Sequence, residues 1–387
     1  MTQLTRRSLL LAGCAATLIS VAPGARAQSS ATGAKLIVII LRGAMDGLAA
    51  LPKTDDPDIR TLRQQLVDPK AIALDQGFAL HSAMPKLSEM YRAREAAFVP
   101  AIAGPYRERS HFEAQDLLET GEVSAVGSDG WLNRALQKAP GAYSAVSIGP
   151  SQPLILRGAS RETVSWSPPV LPEASEDTLT RILHLYENDP VLKPALTAAI
   201  GADMIAGDTT GRIPGGGRAG PAQYVPMLEA AARFLAQPDG PEIAVVGLEG
   251  WDTHIDQNNM LNQRFAALDN AIAGARNILG PAWQKTAVVA VSEFGRTVRV
   301  NGGRGTDHGT GGLGILAGGA IKGGRLLGDW PGLAASALYE NRDLRPTVDM
   351  RGVFKGVLRD HLGWAANDLD ASVFPDSTGA KAMTGLV

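Results

Sequence analysis

Lys35-Leu36-Ile37-Val38-Ile39-Ile40-Leu41 is an apolar, largely β-branched run that stops at Arg42-Gly43. A strand that is apolar on both faces has to be covered on both, which is the position of a central strand in a parallel sheet. Further runs at 97–102, 143–148, 242–248, 286–292 and 313–317 read as strands of the same sheet. Helical periodicity falls between them at about 84–95, 111–120, 130–137, 177–186, 223–237 and 258–278. Strands alternating with helices predict an α/β fold, a doubly wound and mostly parallel central sheet flanked by helices. The Pro-rich stretch 168–177 and the Gly- and Pro-rich stretch 207–222 read as loops, the second as a long surface loop within one domain.

The N-terminus reads as a targeting segment rather than part of the fold. Thr5-Arg6-Arg7-Ser8-Leu9-Leu10 is a twin-arginine start, and Ala25-Arg26-Ala27 is an A-x-A cleavage pattern. The expected organisation is a signal peptide over 1–27 and a single domain over 28–387. The chain would be exported to the periplasm or secreted with the twin-arginine machinery as partner, and no transmembrane anchor is expected after cleavage. Cys14, the only cysteine, lies in a lipobox-like Leu11-Ala12-Gly13-Cys14, but the apolar region runs on past it, which favours cleavage over lipid anchoring. A mature chain without a thiol excludes disulfides, a catalytic cysteine and thiolate metal sites. Loss of Arg6, Arg7 and Arg26 takes the formal charge from −2 to about −5, and no basic block remains. Nucleic acid is therefore excluded as a partner.

Polar clusters sit where these apolar runs end or begin, and ligands of open α/β sheets bind outside the carboxyl ends of the strands. Trp251-Asp252-Thr253-His254 follows the 242–248 run. If the chain stays extended there, Asp252 and His254 point to one side and form a partial ligand set for zinc or manganese, with Trp251 as a wall. Asp252 could instead cap the helix starting near 256. Ser292-Glu293-Phe294-Gly295-Arg296-Thr297 follows the next run. Glu293 and Arg296 form either a structural ion pair or a metal ligand beside an anion-holding fork. Asp307 and His308 lie in a Gly-rich segment whose backbone can approach a ligand.

Two further clusters precede these in the chain. Ser110 with Glu113 fits a helix capping box, and the same position would offer a nucleophile the helix dipole and free amides. His111 is a candidate for the site, and Arg107 and Arg109 for an anion. Asp46, in Arg42-Gly43-Ala44-Met45-Asp46-Gly47, is either a ligand or a turn residue. His184 and His361 lie in Leu-rich helical contexts and read as structural.

Taken together, Leu41-Arg42-Gly43-Ala44-Met45-Asp46-Gly47, Ser110-His111-Phe112-Glu113, Gly130-Trp131-Leu132 and the three clusters at 251–254, 292–297 and 305–309 resemble the secreted bacterial family known as domain of unknown function 1501. That family is similar to the alkaline phosphatase and sulfatase superfamily, which implies an alkaline-phosphatase-like sheet and a metal-dependent site for phosphate or sulfate esters. By this resemblance one divalent ion (zinc, manganese or calcium) is held by Asp252, His254 and His308, with Glu293, Asp307 or Asp46 nearby. Arg42 stands where the superfamily has a ligand Asp, and Phe294 where it has a ligand His.

The expected activity is metal-dependent ester hydrolysis, with Ser110, His111, Arg42 and Arg296 in catalytic roles. The ligand would be an anionic small molecule or a sulfated or phosphorylated glycan. The alternative is a non-catalytic descendant that binds such an anion in the cell envelope.

Overall fold

The computed structural model describes residues 33–124, 127–149, 151–159, 163–167, 176–207 and 220–387. The signal peptide and lipobox readings, and most of both predicted loops, fall outside these residues.

Among the described residues, nine strands form the main sheet. They are β1 (Lys35–Leu41), β2 (Ala96–Ala103), β3 (Ala145–Ile148), β4 (Thr163–Trp166), β5 (Ile243–Leu248), β6 (Thr286–Val291), β7 (Gly312–Ala317), β8 (Arg325–Leu326) and β9 (Val348–Asp349). Their spatial order is β8-β2-β7-β6-β1-β5-β3-β4, with β9 also pairing β2. β1 lies between β5 and β6 and is parallel to both. Only β7 is reversed: it is antiparallel to β6 on one side and to β2 on the other. The sheet is thus mixed but mostly parallel, as the apolar runs predict.

The alternation along β1 divides the core into two layers. Ile37, Ile39 and Leu41 pack on one face, beneath α1 (Pro85–Arg92), α4 (Tyr224–Ala236) and α5 (Gln257–Leu279). Leu36, Val38 and Ile40 pack on the other, beneath α3 (Trp131–Gln137) and α6 (Met350–Asp360). Each fully buried side chain of this size contributes roughly 1.5–3 kcal/mol, so β1 is fixed from both sides.

The helix α2 (His111–Thr120) turns its Ala114, Leu117 and Leu118 inward and stops at Gly121, whose left-handed backbone ends the helix. Its capping box does not form. Ser110 occupies the N-cap without a side-chain cap bond, and Glu113 accepts from the Tyr106 hydroxyl at 2.5 Å instead. Asp252 is not a cap either, because α5 begins after Asp256.

Candidate metal centre

Because eight strands point the same way, the segments after β1, β2, β5 and β6 emerge at one edge of the sheet, and β7 enters there. Residues 292–311 therefore leave and rejoin the sheet at that edge as a hairpin. Arg296 pairs antiparallel with His308, the Gly295 amide donates to the Thr310 carbonyl at 2.9 Å, and the Thr297 amide to the Asp307 carbonyl at 2.9 Å. Close backbone approach requires glycine at two points. A Cβ on Gly43 would lie 2.4 Å from the Asp252 nitrogen, and one on Gly305 would lie 2.2 Å from the His254 carbonyl oxygen.

Four side chains from α2, the segment after β5 and the 292–311 hairpin meet at this edge. His111 Nε2 lies 2.9 Å from His308 Nε2 and 3.5 Å from Asp252 Oδ1. His308 Nε2 lies 3.3 Å from that same oxygen. His254 Nε2 lies 3.0 Å from His308 Nε2 and 2.9 Å from Asp252 Oδ1. A tetrahedral ion with bonds of about 2.0–2.1 Å separates its ligand atoms by about 3.3 Å, so the spacing fits a small divalent cation. His111, Asp252 and His308 in particular have ligand atoms within 4.8 Å of one another.

Proton accounting points the same way. His111 Nδ1 faces Glu293 Oε1 at 2.7 Å, and His308 Nδ1 faces the Arg109 carbonyl at 3.0 Å. Carboxylates and carbonyls only accept, so each Nδ1 carries a proton, which leaves Nε2 of each ring as the atom a metal would take. Asp307 Oδ1 lies 3.6 Å from Nδ1 of His254. In metal-free protein, protons on these rings and the Arg296 guanidinium satisfy Asp252; a divalent ion would take the place of the ring protons. Imidazoles oriented through the opposite nitrogen by a carboxylate or carbonyl are the usual supports of a metal site. The donors present therefore fit a divalent ion.

The charges respond to this crowding. Burial lowers the His111 pKa, but the carboxylates of Asp252 and Glu293 outweigh it and raise it to about 9. Burial raises the Asp252 pKa, and the hydrogen bonds from His111, His308 and Arg296 overcome this and hold the carboxyl well below the usual range. Glu293 is also depressed: burial opposes ionisation, and the bonds from His111 and Gln115 more than compensate. The bond from Asn301 lowers the Asp307 pKa, with His254 adding to it.

Several residues expected at the site have other work. Asp46 is fully buried. It caps the short helix Gly47–Ala50 through the Ala49 amide at 3.0 Å and accepts from Arg63 and Gln257, so it is not a ligand. Glu293 is not a ligand either. It orients His111 while taking the Gly43 amide at 2.9 Å and Gln115 Nε2 at 3.0 Å. Asp307 stands beside His254 and accepts from Asn301 Nδ2 at 3.0 Å.

Nor are the arginines free to grip an anion. Arg296 is buried and donates to the carbonyls of Gly43, Ala44, Trp251 and Thr306 and to Asp252 Oδ1 at 2.6 Å. Arg42 is held by Glu119 and by Gln115 Oε1 at 2.8 Å. Arg109 is held by Glu340 and by Asp343 Oδ2 at 2.9 Å, while Arg107 donates to the Gly104 and Tyr106 carbonyls.

Trp251 is core rather than wall. It is fully buried, with ring centroids 5.8 Å from both Tyr224 and Phe265. His361 is structural, its Nε2–H donating to the Lys35 carbonyl at 2.9 Å. His184 is instead exposed, 3.7 Å from Glu187.

Three contributors were not anticipated. Gln115, one helical turn after His111, bridges Arg42 and Glu293; its i,i+4 spacing was a usable signal. Phe294 stacks on the His111 ring at 4.8 Å, so the residue standing in for an imidazole supports one. The Arg109 carbonyl reaches His308 from a residue held at φ 62°, a left-handed conformation that a side chain marks poorly.

The sequence matches the family described as "Protein of unknown function (DUF1501)" over residues 123–372. The chain belongs to that family. The matched region contains Asp252, His254, Glu293 and His308, whereas His111 lies before it. Comparison with the curated proteins finds no match.

Among solved structures, the chain is similar to the C-terminal periplasmic domain of EcEptC from Escherichia coli, in complex with Zn, at 10% identity and TM-score 0.42, over 89% of this chain and 87% of that one. It is also similar to the phosphonate monoester hydrolase of Agrobacterium radiobacter, at 12% identity and TM-score 0.41, over 86% and 74%. A third is the alkaline phosphatase of the Antarctic bacterium TAB5, at 11% identity and TM-score 0.34, over 73% and 90%. These likenesses are loose; the site is defined by its own atoms.

Proposed function

We propose that this DUF1501 protein is an exported, metal-dependent hydrolase of phosphate or sulfate esters, with the ion held by His111, His254, His308 and Asp252. The observation that carries the reading is the convergence of three imidazole Nε2 atoms on Asp252 Oδ1 at 2.9–3.5 Å. Zinc suits neutral imidazoles and one carboxylate best. When bound, such an ion acts as a Lewis acid toward a phosphoryl or sulfuryl oxygen.

The chain's own groups prepare for that chemistry. Glu293, the Arg109 carbonyl and Asp307 aim the rings, while Arg296 keeps Asp252 ionised and in place. The side chains of Asp252 and His254 are 46% and 39% exposed, which leaves the cluster open to a ligand from solvent. In the hydrolysis the ester bond to the alcohol oxygen breaks, a bond to the oxygen of water forms, and a proton passes to the departing alkoxide. Ser110, at the N-cap beside His111, is the candidate side-chain nucleophile. The twin-arginine start supports export to the periplasm.

One observation favours a second reading, a descendant that binds its ligand without turnover: Arg42, Arg109 and Arg296 are all engaged by the protein itself. Metal analysis of natively exported protein, with assays on aryl phosphates and aryl sulfates, separates the two. Stoichiometric metal that is lost in His308→Ala, together with turnover, supports the hydrolase. Metal without turnover leaves the binder, and protein that takes up no metal and turns over no ester sinks the hydrolase.

A further inference from the structure

Resting on the metal-site reading, we infer that Asp343 is a positioning residue of the centre. It holds the Arg109 backbone in the place from which the Arg109 carbonyl orients His308.

The contacts run in one chain. His308 Nδ1 donates to the Arg109 carbonyl at 3.0 Å, and Arg109 Nε donates to Asp343 Oδ2 at 2.9 Å. Arg109 is held at φ 62°, where a side chain carries a steric cost. Such a conformation persists only where its surroundings over-determine it. Two acids grip the Arg109 guanidinium, but they are not equivalent. The Glu340 side chain is 55% exposed, and an ion pair open to solvent is worth little. The Asp343 side chain is fully buried, and a charge-assisted bond to such a carboxylate fixes geometry firmly. Its other oxygen accepts from Arg342 Nη1 at 3.0 Å, so the carboxylate is itself held in place.

The backbone of the same residue completes the connection. Asp343 closes the turn 339–343 through reciprocal bonds with Tyr339 at 2.9 and 3.0 Å, and it pairs antiparallel with Thr297 of the hairpin. The Thr297 amide in turn donates to the carbonyl of Asp307, the neighbour of His308. One residue thus ties the hairpin that carries His308 to the segment that leads into α2 and His111. Removing the Asp343 carboxylate spares the backbone pairing and releases the Arg109 end of this strut.

The test measures zinc affinity of the mature protein, by competition with a chromophoric chelator, in Asp343→Ala, Arg109→Gly and the double variant. Altering a group that orients a metal ligand typically costs about 10–100-fold. Asp343→Ala is expected at the low end, about tenfold, with zinc stoichiometry retained. Glycine adopts φ 62° without steric cost, so Arg109→Gly removes the grip alone and should weaken zinc by a similar factor. Adding Asp343→Ala to it should then cost no more than about twofold. Exchange of the ring Nδ1 protons with water, followed by NMR in the zinc-loaded protein, gives a second readout. It is expected to quicken at least about fivefold at His308 and to stay unchanged at His111, whose Nδ1 faces Glu293.

Unchanged zinc affinity in Asp343→Ala overturns the inference. So do losses that multiply in the double variant, or exchange that quickens equally at both histidines, the mark of general loosening. These results leave the metal centre standing. If Asp343→Ala does not fold, Arg109→Gly decides alone, and His308 exchange that fails to quicken there overturns the inference. A parent protein that binds no zinc overturns the metal-site reading and the inference together.

Discussion

Where the strands of the central sheet begin, Lys35 Nζ donates to the Pro241 carbonyl at 3.2 Å, Glu242 accepts the Ser144 amide at 3.0 Å, and His361 donates to the Lys35 carbonyl. Where they end, Arg296 and Glu293 are held by the protein as well, yet His111 and His254 each bring Nε2 within 3.0 Å of His308 Nε2. Burying a polar group without a partner is costly, and the first edge meets that cost through backbone partners, Glu242 Oε1 alone of these groups lacking one. At the second edge three rings crowd one carboxylate oxygen, and a metal could replace the protons between them. Buried polarity alone therefore does not mark a site; several imidazoles converging on one carboxylate do.

The sharpest way to break this contrast is to exchange histidines between the two edges. His308→Ala is expected to abolish stoichiometric metal binding, whereas His361→Ala keeps it, as metal analysis after dialysis would show. Next in size is Arg296→Met, which strips Asp252 of its partner and leaves the carbonyls of Gly43 and Ala44 unsatisfied. It should cost about 3 kcal/mol in denaturant unfolding, at the low end for a broken buried pair because Asp252 is partly solvated. Glu293→Gln should weaken metal affinity about 10–100-fold with stoichiometry retained, as expected when the group orienting a ligand is altered.

The two edges should also respond to pH with opposite signs in metal-free protein. His361 has its pKa lowered from 6.5, first by burial. The unfolded chain then binds the proton more readily, and stability is lost as pH falls below 6.5. His111 is raised from 6.5 to about 9. Its contribution is complete below 6.5 and disappears as pH rises through about 9. Melting curves in chelator should therefore show a decline between these values that His111→Gln removes. The smallest effect expected is from Thr253→Val. The Thr253 hydroxyl is buried with no hydrogen-bond partner, and its replacement should stabilise by about 1 kcal/mol in the same melts.

Much of the fold was legible because its signals are local. β1 and α2 occupy the very residues their patterns predict, and the other predicted strands and helices lie within about three residues of place. The helix Leu192–Ala206 and α6 were missed. In α6 the spacing Met350, Val353, Phe354, Val357, Leu358 was a readable helical stripe. β8 and β9, at two residues each, are too short to carry a period.

At the site, Asp252, His254 and His308 were legible as acid and imidazole groups beside apolar runs. The fate of Arg42 and Asp46 was not, since their partners Glu119 and Gln257 lie 77 and 211 residues away. Nothing local in a sequence separates a carboxylate that holds an arginine from one that holds a metal.

The reversal of β7 has a consequence for how this architecture can vary. Parallel neighbours need a crossover of a dozen or more residues that carries the chain back to the opposite edge. Between β6 and β7 no return is needed, so the intervening hairpin is free of that length requirement. Its rungs near 295–297 and 307–310 fix Glu293 and His308 against the sheet, and residues 298–306 form a tip beyond them. Asn301 and Gly305 of that tip hold the His254 carbonyl, so only its exposed positions Arg299, Gly302 and Arg304 can change without shifting a ligand. The protein carries a narrow exchangeable margin beside a fixed metal cradle.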